Sequence, residues 1–184
     1  MLFMALGVDN LTKFVKQARL KIDGDVAQQN KSLRIKWYCP PSGKLKLNID
    51  AAVDQRLGRV GVGAMIRDCN GHMIDVLAGL IPISISPFGT ESIAIREALS
   101  WCSNHSLSVF IVENDCWNVI ESVNSLVGLS TENILVEDIQ SLVYSCGVNS
   151  CHFVARESNK VAHTLAELCF RKDFLSLSAD VIWG

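Results

Sequence analysis

Three acidic residues, Asp50, Glu91 and Asp115, stand where separate elements of the chain end or begin. Asp50 comes late in the stretch Lys44 to Ala52, KLKLNIDAA, which alternates strictly. Leu45, Leu47, Ile49 and Ala51 point one way and Lys44, Lys46, Asn48 and Asp50 the other, the period of a strand with one buried face. A carboxylate at that depth is costly unless it is paired, hydrated or bound to a metal; the plainer alternative is an Asp that opens the next turn. Glu91 falls in the first turn of a helix expected over 90–104, and Asp115 follows the strand VFIVE and starts another helix. The helix dipole favours acids at both places, so each alone has a non-catalytic explanation. Together they differ, because carboxylates from three elements repel one another unless cations lie between them. Mg²⁺ takes a few hard oxygens and keeps its waters. Two such ions ~4 Å apart can activate a water and stabilise the leaving oxygen of a phosphodiester.

The elements that must bring these acids together are legible in order. Val60 to Cys69 forms a second strand, Asn70-Gly71 suits a tight hairpin turn with positive φ, and His72 to Leu80 returns as a third strand. The three form an antiparallel meander. Ile81 to Gly89 holds two prolines and is expected as a loop. The helix over 90–104 buries Ile93, Ala94, Ala98, Leu99 and Trp101. Ser108 to Val112 is a short apolar strand, and helices follow over 115–126 and 133–146, the second with Ile134, Leu135, Ile139, Leu142 and Val143 inward. Cys151 to Ala155 is the last strand, and Ser158 caps a closing helix that runs to about Lys172. A meander followed by alternating strand and helix predicts a mixed sheet with helices on both faces. Gly61-Val62-Gly63 lacks the helix that follows a dinucleotide loop and is expected as a close-packed strand. Trp101 and Trp117 fall on helical apolar stripes and are expected in the core.

The 184 residues suffice for one domain with flanking segments. No apolar run reaches the ~18 residues of a membrane span, and the start, MLFMALGV, lacks the basic region and cleavage site of a secretory signal. Seven scattered cysteines without such a signal suggest reduced thiols in a cytoplasmic or nuclear protein that is not secreted. CGVNSCH at 146–152 has no second pair at zinc-site spacing. Net charge is −2, but it is unevenly spread. Residues 1–67 carry 12 Lys and Arg against 5 Asp and Glu, whereas 68–184 carry 5 against 14, with no Lys or Arg between Arg96 and Arg156. A phosphate-binding surface is therefore expected mainly in the first third, where residues 10–29 form a basic amphipathic helix carrying Lys13, Lys16, Arg19 and Lys21. The domain limits that follow are 1–36 for this helix and a linker, 37–172 for the domain, and 173–184 for a tail.

NID at 48–50, GVGAMIRDCNG at 61–71, ESIAIREALSW at 91–101, VEND at 112–115 and RESNKVAHTLA at 156–166 come in the order and spacing of a ribonuclease H-like domain. With the entry WYCPPSGKLKLN, the chain resembles more narrowly the plant reverse-transcriptase-like ribonuclease H domains related to non-LTR retroelements. The resemblance implies an α/β fold, a five-stranded mixed sheet made of an antiparallel three-strand meander plus two parallel strands, flanked by helices. It implies metal-dependent endonucleolytic hydrolysis of the RNA strand of RNA–DNA hybrids, largely independent of sequence, by a monomer holding two Mg²⁺ or Mn²⁺ ions. Asp50, Glu91 and Asp115 match three of that family's metal-binding acids. The fourth position holds His163, four residues after Asn159, which implies a weakened activity: His brings no negative charge and is a softer ligand than Mg²⁺ prefers. Arg156, Asn159, Lys13, Lys16, Arg19 and Lys21 are the expected nucleic-acid contacts. The alternative is a catalytically inactive nucleic-acid-binding or protein-interaction module on the same fold, a retroelement remnant.

Overall fold

A computed structural model describes residues 37–125 and 133–171, so the helix expected over 10–29, with Lys13, Lys16, Arg19 and Lys21, and the tail lie outside the described residues. The elements are β1 (Lys46–Asp54), β2 (Arg59–Arg67), β3 (Met73–Ile81), α1 (Pro87–Asn104), β4 (Ile111–Asn114), α2 (Trp117–Asn124), α3 (Asn133–Ser145), β5 (Ser150–Phe153) and α4 (Arg156–Leu168). They build one five-stranded sheet in the order β3-β2-β1-β4-β5. β1 to β3 pair antiparallel, while β1 with β4 and β4 with β5 pair parallel. This is the mixed sheet that the sequence predicts. The hairpin between β2 and β3 turns on Gly71 at φ +80°, where the Asp68 carboxylate accepts from the backbone N–H groups of Asn70 and His72.

One face of the sheet, with Leu47, Ile49, Val60, Val62, Ile66 and Val112, packs a core with α1, α2 and α3. The other face is not solvated. Lys46, Asn48 and Asp50 are all nearly inaccessible because α4 lies across β1 and β2. The approach is close because β2 offers glycines there. A Cβ on Gly63 would fall well inside 3.0 Å of the Ala162 carbonyl oxygen, and one on Gly61 equally close to that of Ala166. The glycine pair is thus a seat for α4, with Met65, Val76, Ala78, Leu165, Leu168 and Cys169 forming a second apolar cluster beside it.

Polar residues on the α4 face pair with one another. Lys46 Nζ donates to Glu113 Oε1 and to the Tyr38 carbonyl, Asn48 Nδ2 donates to Glu113 Oε2, and Trp37 Nε1 donates to Asn48 Oδ1. Arg67 stacks on the Trp37 ring, 3.7 Å from its centroid. The entry segment at 37–38 is therefore pinned to the sheet by its own side chains.

Several expectations change. α1 begins at Pro87 rather than Thr90: Ser86 Oγ accepts from Gly89 N and Pro87 takes the first helical position, where a missing N–H costs nothing. α4 begins at Arg156, so Ser158 lies inside the helix and caps nothing. Ile134 is 72% exposed, not inward, while Ile139 is fully buried. Trp101 is in the core, whereas Trp117 is 58% exposed and meets Phe153 edge-on.

Candidate metal centre

The three acids converge where β1 and β4 run parallel and their C-terminal ends open toward α1 and α4. Asp50 projects from β1 toward α4 and is almost fully buried. Glu91 stands in the second turn of α1, one turn later than expected, and Asp115 lies in the short connection between β4 and α2. The helix-dipole explanation fails for Glu91, since no acid occupies the first turn of α1. One ligand oxygen from each of Asp50, Glu91 and Asp115 lies within 4.8 Å of the other two.

Crowding sets the electrostatics. Burial, reinforced by the neighbouring Asp50 and Asp115 charges, pushes the Glu91 carboxyl up to about 8. Asp115 is also raised, by burial first and then by the charge of Asp50 and a hydrogen bond with it. The guanidinium of Arg156 works against both shifts. Carboxyls held above their ordinary range by burial and by one another are a donor set lacking a counter-charge, and hard oxygens at this spacing fit a divalent cation.

Amides hold the pocket in shape. Asn114 Nδ2 donates to the Ile49 carbonyl and to Glu91 Oε2, and its Oδ1 accepts from Cys116 N at the start of α2. One side chain thus ties β1, α1 and the Asp115 connection together. Sequence reasoning passes over Asn114; its signal is an amide on the same strand face as the core residue Val112. Asn159 Nδ2 donates to the same Ile49 carbonyl at 2.8 Å, and its Oδ1 accepts from Asn48 Nδ2. Expected to touch nucleic acid, Asn159 is only 1% exposed and instead positions the strand that carries Asp50.

His163 does reach the pocket. Its Nδ1 lies 2.6 Å from Asp50 Oδ2, and its Nε2 lies 3.4 Å from Glu167 Oε1. The hydrogen bond to Asp50 raises its pKa above the ordinary histidine value, with burial opposing. Of the three clustered acids it meets Asp50, and the group of mutually close ligands comprises the three carboxylates. Arg156 Nη2 is 3.1 Å from both ring nitrogens of His163. A donor equidistant from both lies over the ring rather than in its plane, so the contact is a stack. The exposed guanidinium thereby stands beside the acids at the rim of a cleft that Ala51, Ala52, Glu167 and Arg171 also line.

A sequence profile described as reverse transcriptase-like matches residues 48–169. No curated protein matches in sequence. Among solved structures, RNase H1 from the halophilic archaeon Halobacterium salinarum NRC-1 is 18% identical, covering 68% of this chain and 96% of that one, with a TM-score of 0.60. LC11-RNase H1 in complex with RNA/DNA hybrid, a protein isolated from compost by a metagenomic approach, is 17% identical over 67% of this chain and 94% of that one, at 0.58. The foamy viral protease-reverse transcriptase in complex with RNA/DNA hybrid is 15% identical over 76% of this chain and 21% of that one, at 0.52. At such identities the likeness is one of fold, and the fold is ribonuclease H-like.

Proposed function

The chain belongs to the reverse transcriptase-like family, and on that premise we propose that its acidic pocket hydrolyses the RNA strand of RNA–DNA hybrids with the help of divalent cations. The observation that carries the proposal is the meeting of Asp50, Glu91 and Asp115, from three separate elements, within 4.8 Å on a ribonuclease H-like sheet. Two of the fold relatives are described in complex with RNA/DNA hybrid, which supports the same substrate class here.

The three carboxylates would hold Mg²⁺ or Mn²⁺. Bound there, the cation supplies Lewis acidity: it polarises a phosphoryl oxygen and lowers the pKa of water. The chain's own residues do the rest. Asn114 fixes the Glu91 carboxyl and, with Asn159, the backbone of β1 at Ile49, so Asp50 and Glu91 keep their spacing when a strand arrives. Arg156, exposed and stacked on His163, offers a planar cation to a backbone phosphate beside the scissile one. Contacts to 2′-hydroxyls across a shallow groove would select RNA without reading its sequence.

The domain is proposed to span 37–172, in the plant lineage related to non-LTR retroelements, acting as a monomer in the cytoplasm or nucleus. The basic segment carrying Lys13, Lys16, Arg19 and Lys21 would add phosphate contacts. A second reading, a binding or interaction module without catalysis, is favoured by one observation: His163 stands where an acid is expected and occupies an oxygen of Asp50.

A labelled RNA–DNA hybrid separates the two. The enzyme reading predicts slow cleavage of the RNA strand, faster with Mn²⁺ than with Mg²⁺, raised by His163→Asp and lost in Asp115→Asn. Hybrid binding without cleavage in both wild type and His163→Asp would establish the second reading.

A further inference from the structure

The contact between His163 and Asp50 bears on how many cations the pocket accepts. A pair of ions sharing one aspartate draws on the lone pairs of both of its oxygens. Here Asp50 Oδ2 already accepts from His163 Nδ1 at 2.6 Å, which takes up one of that oxygen's lone pairs and turns it toward the ring. The ring cannot substitute as a ligand in this arrangement: Nδ1 faces Asp50 and Nε2 is turned toward Glu167. Above the ring lies the Arg156 guanidinium, a charge that persists at every accessible pH. It is close enough to pull down the pKa values of both Glu91 and Asp115. Charge balance points the same way. With Glu167 set against His163, the three carboxylates are balanced by one divalent ion and the Arg156 guanidinium, and a second divalent ion would add two uncompensated positive charges.

We infer that this chain holds a single divalent cation, ligated by Asp50, Glu91 and Asp115, and that His163 with Arg156 stacked on it takes the place of a second. The inference rests on the metal-dependent reading above and departs from the two ions that the family resemblance implies. His163 is then a positioning residue that rations the oxygens of Asp50, and Arg156 supplies the remaining positive charge.

Mn²⁺ binding followed by electron paramagnetic resonance tests this without any substrate. Titration of the full chain should show one bound ion per molecule, with the spectrum of an isolated Mn²⁺. His163→Asp should bind two, with the line broadening of neighbouring spins. Two ions of similar affinity in wild type would overturn the inference while leaving hybrid hydrolysis intact, as would a single ion in a folded His163→Asp variant. No bound ion in wild type would overturn both this inference and the metal-dependent reading.

Discussion

Glu91 is the residue whose chemistry is furthest from ordinary. Its folded pKa of about 8 lies above the usual 4.5, so between those values the folded state binds the proton that the unfolded chain has released. Stability of the metal-free protein should therefore fall as pH rises from about 4.5 to 8, by at most roughly 1.4 kcal/mol per pH unit from this group, and level off above. His163 acts in the same direction. Its raised pKa contributes stability that is complete below the usual 6.5 and lost as pH passes the folded value. Chemical denaturation across pH 4–9 checks this, and the slope should shrink in Glu91→Gln to the parts that Asp115, Glu97 and His163 contribute. The three acids are legible in the sequence because each sits at the boundary of a periodic segment. Asn114 is not, because a single amide in VFIVEND looks like the end of a strand rather than a brace between three elements.

Among the elements, β1 depends on a pair that alternation alone misassigns. Lys46 and Asn48 look like a solvent face; their partner Glu113 comes from β4, 65 or more residues away. Lys46→Met leaves the Glu113 carboxylate buried without its cation and should cost about 3–5 kcal/mol. Adding Glu113→Gln should recover most of that loss, and urea denaturation of the single and double variants measures it. The seat of α4 is equally specific. Gly63→Ala sets a methyl against the Ala162 carbonyl, a backbone group that cannot step aside. It should destabilise by about 1–3 kcal/mol or more. Mn²⁺ affinity should fall with it, since α4 carries Asn159, which holds the strand of Asp50 at Ile49. The start of α1 shows why a boundary is easily missed: prolines suggest a loop, yet Ser86-Pro87 is a capping pair. Ser86→Ala should cost about 1 kcal/mol, read from the same denaturation curves.

Across the whole molecule the charge is divided, basic before residue 68 and acidic after it. The three-strand meander and the fold class are legible because turn glycines and period-two alternation are local signals, and the ordered motifs link them. That helices cover both faces is legible too; how closely α4 sits is not, since that packing depends on two glycines that look ordinary in a strand. Exposure of Trp117 escapes for a related reason: helical periodicity cannot say which neighbours a short helix has. A cation-poor domain should draw much of its hybrid affinity from the basic segment. Replacing Lys13, Lys16, Arg19 and Lys21 together by Gln should weaken hybrid binding and flatten its salt dependence. The log–log slope should shrink by roughly 0.7–0.9 for each phosphate no longer neutralised. Fluorescence anisotropy over a salt series checks it.

Metal-dependent function requires that three mutually repelling carboxyls become a cation site. Calorimetric titration of Mn²⁺ at pH 7, repeated in buffers of different ionisation enthalpy, is the sharpest test of that requirement. Because Glu91 is largely protonated at that pH without metal, binding should release about one proton per chain. The release should disappear in Glu91→Gln. Mn²⁺ that fails to bind, or that binds Asp115→Asn as tightly as wild type, would refute the cation site.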